Sequence, residues 1–122
     1  MKTPELDQRI AQHARALIAS DDRAAEAMVT PAGLATWRSV AAAISARRPL
    51  DRYKLLACAQ IGMQFIAKTR FSTASGALTL LIRWKHTDGG WMIAEAEDVS
   101  GKRSPWSDLQ HYSREPGGAT NA

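Results

Sequence analysis

Cysteine is nearly absent from this sequence, in which Cys58 is the single example. One cysteine cannot form an intramolecular disulfide or supply the several thiolates of a metal cluster. A free, buried thiol is the expected state, because an unpaired cysteine usually behaves as a small apolar side chain. The sequence therefore excludes a disulfide-rich scaffold and a cysteine-based metal site.

Long apolar runs are also missing. No stretch of about 18 apolar residues occurs, and the start, Met1-Lys2-Thr3-Pro4-Glu5, lacks the apolar segment of a secretory signal. We therefore expect a soluble, cytoplasmic protein that does not associate with a membrane.

The length and composition are those of one globular domain. The chain has 122 residues, of which 45% are hydrophobic and 23% charged, and single cores commonly need about 100 to 150 residues. We expect one domain over residues 1–100, followed by a loop and a disordered tail over 101–122, where proline and glycine are frequent.

The net charge of +4 at pH 7 raises the question of nucleic-acid binding. Basic residues cluster at Arg47, Arg48, Arg52 and Lys54. No aromatic stacking array, zinc-ligand pattern or helix-turn-helix spacing accompanies them. The prediction is therefore that the chain binds no nucleic acid.

The first half of the chain has the periodicity of helices. Apolar residues recur three and four apart from Leu6 to Ile18, and Thr3-Pro4 supplies a cap and a first-turn proline. This pattern predicts a helix from Pro4 to about Ser20, with His13 inside its apolar stripe.

Two further helices are predicted before residue 50. Asp21-Asp22 can cap a short helix that runs through Val29, and Thr30-Pro31 begins another that extends to about Arg47. Arg47-Arg48-Pro49 ends it, since cations suit the helix C-terminus and the residue before proline disfavours helix.

From Tyr53 onwards the apolar period changes to two, which is typical of strands. We predict strands near 53–60, 62–72, 77–86 and 91–99, with turns at 73–76 and 86–90, the second carrying the Asp88-Gly89 hairpin signal. The region around Ile61-Gly62 is equally compatible with a bulge in one long, bent strand.

The alternation also predicts which residues share a face of the sheet. One face is expected to be apolar apart from Glu95 and Glu97. Its expected members are Met63, Phe65, Ala67, Thr69, Phe71, Leu78, Leu80, Ile82, Trp84, Trp91, Ile93, Glu95 and Glu97. The opposite face mixes charged and apolar residues, which suits subunit contact or partial exposure.

Two segments carry a resemblance to a known superfamily. Leu17-Ile18-Ala19-Ser20-Asp21-Asp22 at the end of the first helix and the hairpin Asp88-Gly89-Gly90-Trp91-Met92-Ile93 look like the nuclear transport factor 2-like superfamily, which includes ketosteroid isomerases and SnoaL-type cyclases. The resemblance spans roughly Pro4 to Val99. It implies an α+β fold in which three N-terminal helices pack in the concave face of a curled, antiparallel four-stranded sheet around a ligand cavity, often with a homodimer through the outer face.

The catalytic residues of those families do not carry over. The helix-one tyrosine of the isomerases would fall near His13, and neither their aspartate base nor their oxyanion-hole acid matches a motif of this chain. The Asp-Arg-Asp set of limonene epoxide hydrolases is not recognisable either. A shared fold alone implies no reaction.

His13 and Glu95 are the candidate catalytic residues. A carboxylate on an apolar face needs a partner, water or a raised pKa, and together with His13 it would form an acid–base pair. Alternatively, Glu95 reaches solvent or an arginine, and His13 is a core residue bonded to backbone.

Aromatic side chains could line a pocket for a flat or alicyclic ligand, although the same spacings are compatible with a plain core. The candidate lining residues are Trp37, Tyr53, Phe65, Trp84 and Trp91, with Glu97 either beside them or solvated. His86 and His111 fall in a turn and in the tail, so neither a metal site nor a cofactor is predicted.

These observations predict a domain that binds a small apolar or aromatic molecule, as an isomerase, cyclase or hydrolase that transfers protons without a cofactor. The alternative is a non-catalytic dimerisation or protein-interaction module of the same fold. A homodimer is predicted through an apolar strip on the outer face with a charged border. The strip comprises Ile66, Leu81, Met92, Ala94 and Ala96, and the border Lys68, Arg70, Arg83 and Asp98.

Overall fold

The computed structural model describes residues 4–101 and has α+β architecture, as predicted. The helices are α1 (Pro4–Ile18), α2 (Asp22–Glu26) and α3 (Leu34–Arg47), with a 3-10 turn at Pro31–Gly33 before α3. The strands are β1 (Leu50–Ile61), β2 (Gln64–Thr73), β3 (Gly76–Thr87) and β4 (Gly90–Asp98). The predicted Thr3 cap and the predicted tail from 102 onwards lie outside the described residues.

Helix α1 ends at Ile18, two residues before the predicted end. Ser20 adopts a φ of 60°, in the left-handed region. The Asp21 N–H then donates to the Ala16 carbonyl at 2.8 Å, which closes the helix in the manner of a Schellman motif. Because a serine occupies the position where glycine is usual, the sequence pattern did not show this stop.

Helix α2 is shorter than predicted, because the chain after it pairs with β4. The Ile93 N–H donates to the Met28 carbonyl at 2.7 Å, and the Thr30 N–H donates to the Ile93 carbonyl at 2.9 Å. Val29 therefore forms a parallel bridge with Ile93 instead of a last helical turn. This bridge joins the helical half of the chain to the edge of the sheet.

The four strands form one open, antiparallel sheet in the order β1-β2-β3-β4. Ile61 pairs with Gln64, so Gly62 and Met63 form a two-residue turn, and the alternative of one bent strand at this point is wrong. Gly62 has a φ of 63°, which a glycine adopts without strain. Met63 is 89% exposed at this turn, so its predicted place on the inner face is also wrong.

One face of the sheet, here called the inner face, is buried in a single core with α1 and α3. The helices contribute Leu6, Ile10, Ala14, Leu17, Trp37, Val40 and Ile44 to this core. The sheet contributes Phe65, Ala67, Phe71, Leu78, Leu80, Ile82, Trp84, Trp91, Ile93 and Ala96. The helices thus cover one face, as expected, and a concave curvature of that face stays a prediction.

A β-bulge in β4 reverses the predicted alternation. Trp84 pairs with Ile93 and Arg83 pairs with Glu95, so Ala94 is an extra residue in β4. Beyond it Ala96 is buried, whereas Glu95 and Glu97 are exposed on the outer face. The predictions that these two glutamates lie on the inner face and that Ala96 lies on the outer face are therefore wrong.

The bulge has a clear energetic reason and a structural support. Two carboxylates on the inner face would lose their hydration, which costs several kcal/mol each in an apolar core. The Ala96 N–H donates to Thr36 Oγ1 at 3.3 Å. Gly33 packs so tightly that a Cβ there would lie 2.8 Å from the Ala94 carbonyl oxygen. The start of α3 therefore holds the bulge in place.

Candidate functional site

His13 lies in the centre of the core. The residue is 2% exposed, and its ring makes edge contacts with Trp37 at 4.9 Å and Trp84 at 5.8 Å between ring centroids. Burial and, to a smaller extent, the positive charge of Arg9 together lower the pKa of the imidazole from 6.5 to about 3. His13 is therefore neutral near pH 7.

The polar atoms of this aromatic group are not satisfied. His13 Nε2 and Trp84 Nε1 are both buried and have no hydrogen-bond partner among the described residues. An unpaired buried polar atom costs about 1–3 kcal/mol. The packing of the surrounding rings must offset this cost.

Glu95 lies on the other side of the sheet from His13. Its carboxylate accepts a charged contact from Arg83 at 3.2 Å, and its side chain is 51% exposed. The bulge carries Glu95 away from the core, so the structure does not bring the two candidate catalytic residues into one cavity. The convergence on which the acid–base prediction depends does not occur.

Most of the predicted pocket residues are packed against one another. Phe65 and Trp91 are buried with ring centroids 5.6 Å apart, and Trp84 is 1% exposed. Tyr53 is half-buried and tilted against Phe71, with 6.2 Å between ring centroids. Glu97 is exposed. Trp37 is likewise buried, at 2% exposure, and packs against His13, and it also lines a recess between the helices.

This recess lies within the helical layer and has a volume of about 200 Å³. Its apolar wall consists of Leu17 from α1 and Trp37, Ala41 and Ile44 from α3. Its charged rim consists of Asp22, Glu26 and Arg48. Side chains from all three helices therefore meet at one concave site.

The charged rim is held together by ion pairs. Arg48 Nη2 and Nη1 donate to the two carboxylate oxygens of Asp22 at 2.6 and 3.2 Å, and Nη2 also reaches the Leu17 carbonyl at 3.4 Å. This contact with Arg48 lowers the pKa of the Asp22 carboxyl. Glu26 lies 3.7 Å from Arg38 on the neighbouring helix. The rim charges thus have partners within the protein.

Sequence reasoning missed the Asp22–Arg48 pair. The sequence pattern assigns Asp22 to a helix cap and Arg48 to the basic end of a helix, and 26 residues separate them in the chain. No sequence spacing indicates such a contact, because it depends on how α2 packs beside the end of α3. The single sequence signal was that both residues lie at helix termini, where backbone and charge are available.

Other depressions lie elsewhere on the molecule, including one of about 290 Å³ between α3 and β4 that Thr36, Ser39, Val40, Ala96, Glu97 and Asp98 line. A broad groove of about 510 Å³ runs between α2 and the start of α3, past Val29, Pro31 and Leu34, and is widely open to solvent. A dimple of about 100 Å³ lies on the outer face beside Ile66, Leu81 and Arg83. Within residues 4–101 no three His, Cys, Asp or Glu side chains are placed to hold a metal ion.

Comparison with known proteins adds no assignment. The chain matches no protein-family model, and none of the curated proteins is significantly similar to it. The resemblance to the nuclear transport factor 2-like superfamily therefore stays a prediction. Among the described residues, no helix has both the length and the apolarity to cross a membrane.

Proposed function

We propose that this chain is a small-molecule-binding domain and that its ligand occupies the recess between the three helices. The observation that carries the proposal is the combination of an apolar wall, formed by Leu17, Trp37, Ala41 and Ile44, with a rim of paired charges. Ligand sites in proteins are typically concave and mainly apolar, with few polar groups.

The volume supports binding of a compact ligand. An apolar cavity of about 150 Å³ is large enough to bind benzene, and the recess measures about 200 Å³. Leu17, Trp37 and Ile44 belong to the buried core and Ala41 packs against it, so the recess is present without a ligand. A preformed site avoids part of the ordering cost of binding.

The proposal concerns binding rather than catalysis. Neither His13 nor Glu95 lines the recess. The His13 ring packs against Trp37, one of the lining residues, at 4.9 Å between ring centroids. A proton-transfer reaction at this site would need groups other than the two candidates indicated by the sequence.

A thermal-shift screen with small organic molecules tests the proposal. A ligand that binds only the folded protein, at a free concentration of 100 times its Kd, adds about 2.7 kcal/mol to the unfolding free energy. This addition raises the melting temperature by several degrees. Ala41→Trp places a ring in the recess and should abolish these shifts, whereas Ala42→Trp on the exposed side of α3 should preserve them.

Two results would contradict the proposal. The first is a screen without any stabilising compound. The second is a set of shifts that Ala41→Trp and Ala42→Trp leave equally intact. Far-UV circular dichroism of both variants shows that they are folded, and Ala41→Leu provides a milder obstruction if the tryptophan destabilises α3.

A homodimer through the outer sheet face is a second candidate function. The bulge supports it by adding Glu95 and Glu97 to this face, next to the half-buried Leu81. Cations lie mainly on the central strands and acids on β4, so the face has separate basic and acidic columns. The basic column comprises Lys68, Arg70, Arg83 and Lys85.

This separation favours one symmetry. A twofold axis that runs along β3, between two facing sheets, places β4 of one chain opposite β2 of the other and sets Glu95 and Glu97 against Lys68 and Arg70, while Arg83 and Lys85 lie near the axis. An axis across the strands would set acids against acids. Asp98, the acid expected at the border of the outer face, pairs with Leu80, an inner-face residue, and accepts hydrogen bonds from Ser100. Glu95 and Glu97 are therefore the acids proposed for the dimer contact.

Light scattering at micromolar concentration tests the dimer. The mass should be that of two chains, and Leu81→Arg should reduce it to one, because it adds a cation beside Arg83 on the twofold axis. Ala42→Arg on the exposed side of α3 serves as the control and should remain dimeric. A monomeric wild type, or a dimer that tolerates Leu81→Arg, is incompatible with this candidate.

A further inference from the structure

We infer that the ligand of the recess is an uncharged, single-ring molecule, an inference that rests on the proposed binding function. Three observations carry it: the mutual pairing of the rim charges, the apolar wall and the volume. Each restricts the chemistry of the ligand in a different way.

The charges of the rim are engaged through Arg48 Nη1 and Nη2 and through Glu26, and Arg48 Nε is buried without a hydrogen-bond partner among the described residues. Both Nη atoms of Arg48 already contact the Asp22 carboxylate, at 2.6 and 3.2 Å. Glu26 lies 3.7 Å from Arg38. A carboxylate ligand would have to displace Asp22 from Arg48, and an ammonium ligand would have to displace a guanidinium. An uncharged ligand leaves both pairs intact.

The wall adds a second penalty for charge. A ligand that reaches Leu17, Trp37 and Ile44 leaves water for an apolar surface. Moving an ionised group into such surroundings costs far more than moving a hydroxyl or carbonyl. A neutral ring with one polar substituent keeps the substituent at the rim and its ring against the wall.

The volume limits the size. About 200 Å³ exceeds the cavity of about 150 Å³ that holds benzene, but by little more than the volume of one substituent. Drug-sized ligands usually occupy about 300–1,000 Å³. The recess therefore accommodates one ring with a short substituent and is too small for a fused multi-ring ligand.

The position of Trp37 explains why the recess keeps this size. His13 packs against Trp37 from behind at 4.9 Å, and His13 in turn contacts Trp84 in the sheet core. The tryptophan therefore cannot move deeper without disturbing the buried histidine. The wall is rigid on this side, so the ligand must fit the recess as it stands.

Three probes of matched size test the ligand class. Benzyl alcohol, benzylammonium and benzoate carry one ring each and differ in charge at pH 7. Isothermal titration calorimetry should give benzyl alcohol at least a tenfold lower Kd than either ion, and Ala41→Trp should remove this binding while Ala42→Trp retains it. An ion that binds as tightly as the alcohol overturns the inference.

The Asp22–Arg48 pair can be tested separately. Asp22→Asn releases the Arg48 guanidinium from its carboxylate and should strengthen benzoate binding at least tenfold, whereas Asp51→Asn on the exposed part of β1 should not. Unchanged benzoate affinity in Asp22→Asn overturns the charge argument.

A wrong ligand class and a wrong binding function would give different experimental results. If none of the three probes binds but other compounds stabilise the protein in an Ala41-sensitive way, the ligand class is wrong and the binding function stands. If no compound shows an Ala41-sensitive effect, both are wrong.

Discussion

The two faces of the sheet differ in whether their polar side-chain atoms have partners. On the inner face, His13 packs against Trp84 and both have buried nitrogen atoms without partners among the described residues. On the outer face, Arg83 and Glu95 are about half exposed and contact each other at 3.2 Å. The inner face is therefore expected to dominate stability, while the outer face remains available for contact with other molecules.

Strand β4 shows how one element serves both arrangements. Trp91 and Ile93 follow the inner-face alternation. After the extra residue Ala94, the side chain of Glu95 is exposed on the outer face instead of buried on the inner face. A charged residue in an alternating apolar pattern is thus as compatible with a bulge as with a catalytic acid. A bulge forms when burying the charged side chain would cost more free energy than inserting one extra residue into the strand.

The largest expected difference between the faces is in the unfolding free energy lost on truncating one residue from each face of the same strand, Trp84→Ala and Leu81→Ala. Trp84 is 1% exposed, and its truncation should lower the unfolding free energy by about 3–5 kcal/mol. Leu81 is half-buried on the outer face and should cost about 1 kcal/mol. Urea denaturation measures both. Equal losses would show that the outer face is as important to folding as the core.

The pH dependence of stability should report the buried histidine. Its folded pKa is about 3 and its usual value is 6.5, so the unfolded chain binds the additional proton between these values. His13 therefore does not reduce the free energy of unfolding above pH 6.5. On acidification below that value, the free energy of unfolding declines by about 1.4 kcal/mol per pH unit, or by about 3 kcal/mol at pH 4.5.

His13→Leu should flatten this part of the pH profile. Denaturation curves at several pH values provide the measurement. If the slope persists in His13→Leu, other groups control the acid sensitivity of the fold.

A smaller effect is expected where α3 supports the bulge. Thr36→Val keeps the shape of the side chain but removes the oxygen that accepts the Ala96 N–H at 3.3 Å, so the loss should be about 1–2 kcal/mol. Ser39→Ala, at an exposed position of the same helix, should change stability by no more than about 0.5 kcal/mol. Indistinguishable variants would mean that the bulge does not depend on Thr36.

The smallest effect is expected for the exposed pair on the outer face. Glu95→Gln should cost less than about 1 kcal/mol, because both side chains are largely solvated, and the cost should diminish further at high salt. A double-mutant cycle with Arg83→Met isolates the interaction. A coupling energy above about 2 kcal/mol would contradict the assignment of this face to solvent.

The α+β class and the core-facing positions of β2 and β3 were predictable, because they depend on local periodicity. Helix α1 needed only its apolar stripe, and the hairpin at Asp88-Gly89 only its turn residues. The truncation of α2 was not predictable in this way, since Val29 leaves the helix to pair with Ile93, which is 64 positions further along the chain. The rim of the recess was missed for the same reason, as Asp22 and Arg48 meet only in the folded state.

Most helix and strand positions of this protein follow from local sequence, because helix and strand periods, caps and turn residues act between neighbouring residues. The face on which Glu95 lies and the position of the candidate site follow instead from tertiary packing. Both depend on contacts between distant segments, namely Gly33 and Thr36 against β4 and Arg48 against α2. Such contacts are selected by the free energy of the whole packed core, which no local pattern contains.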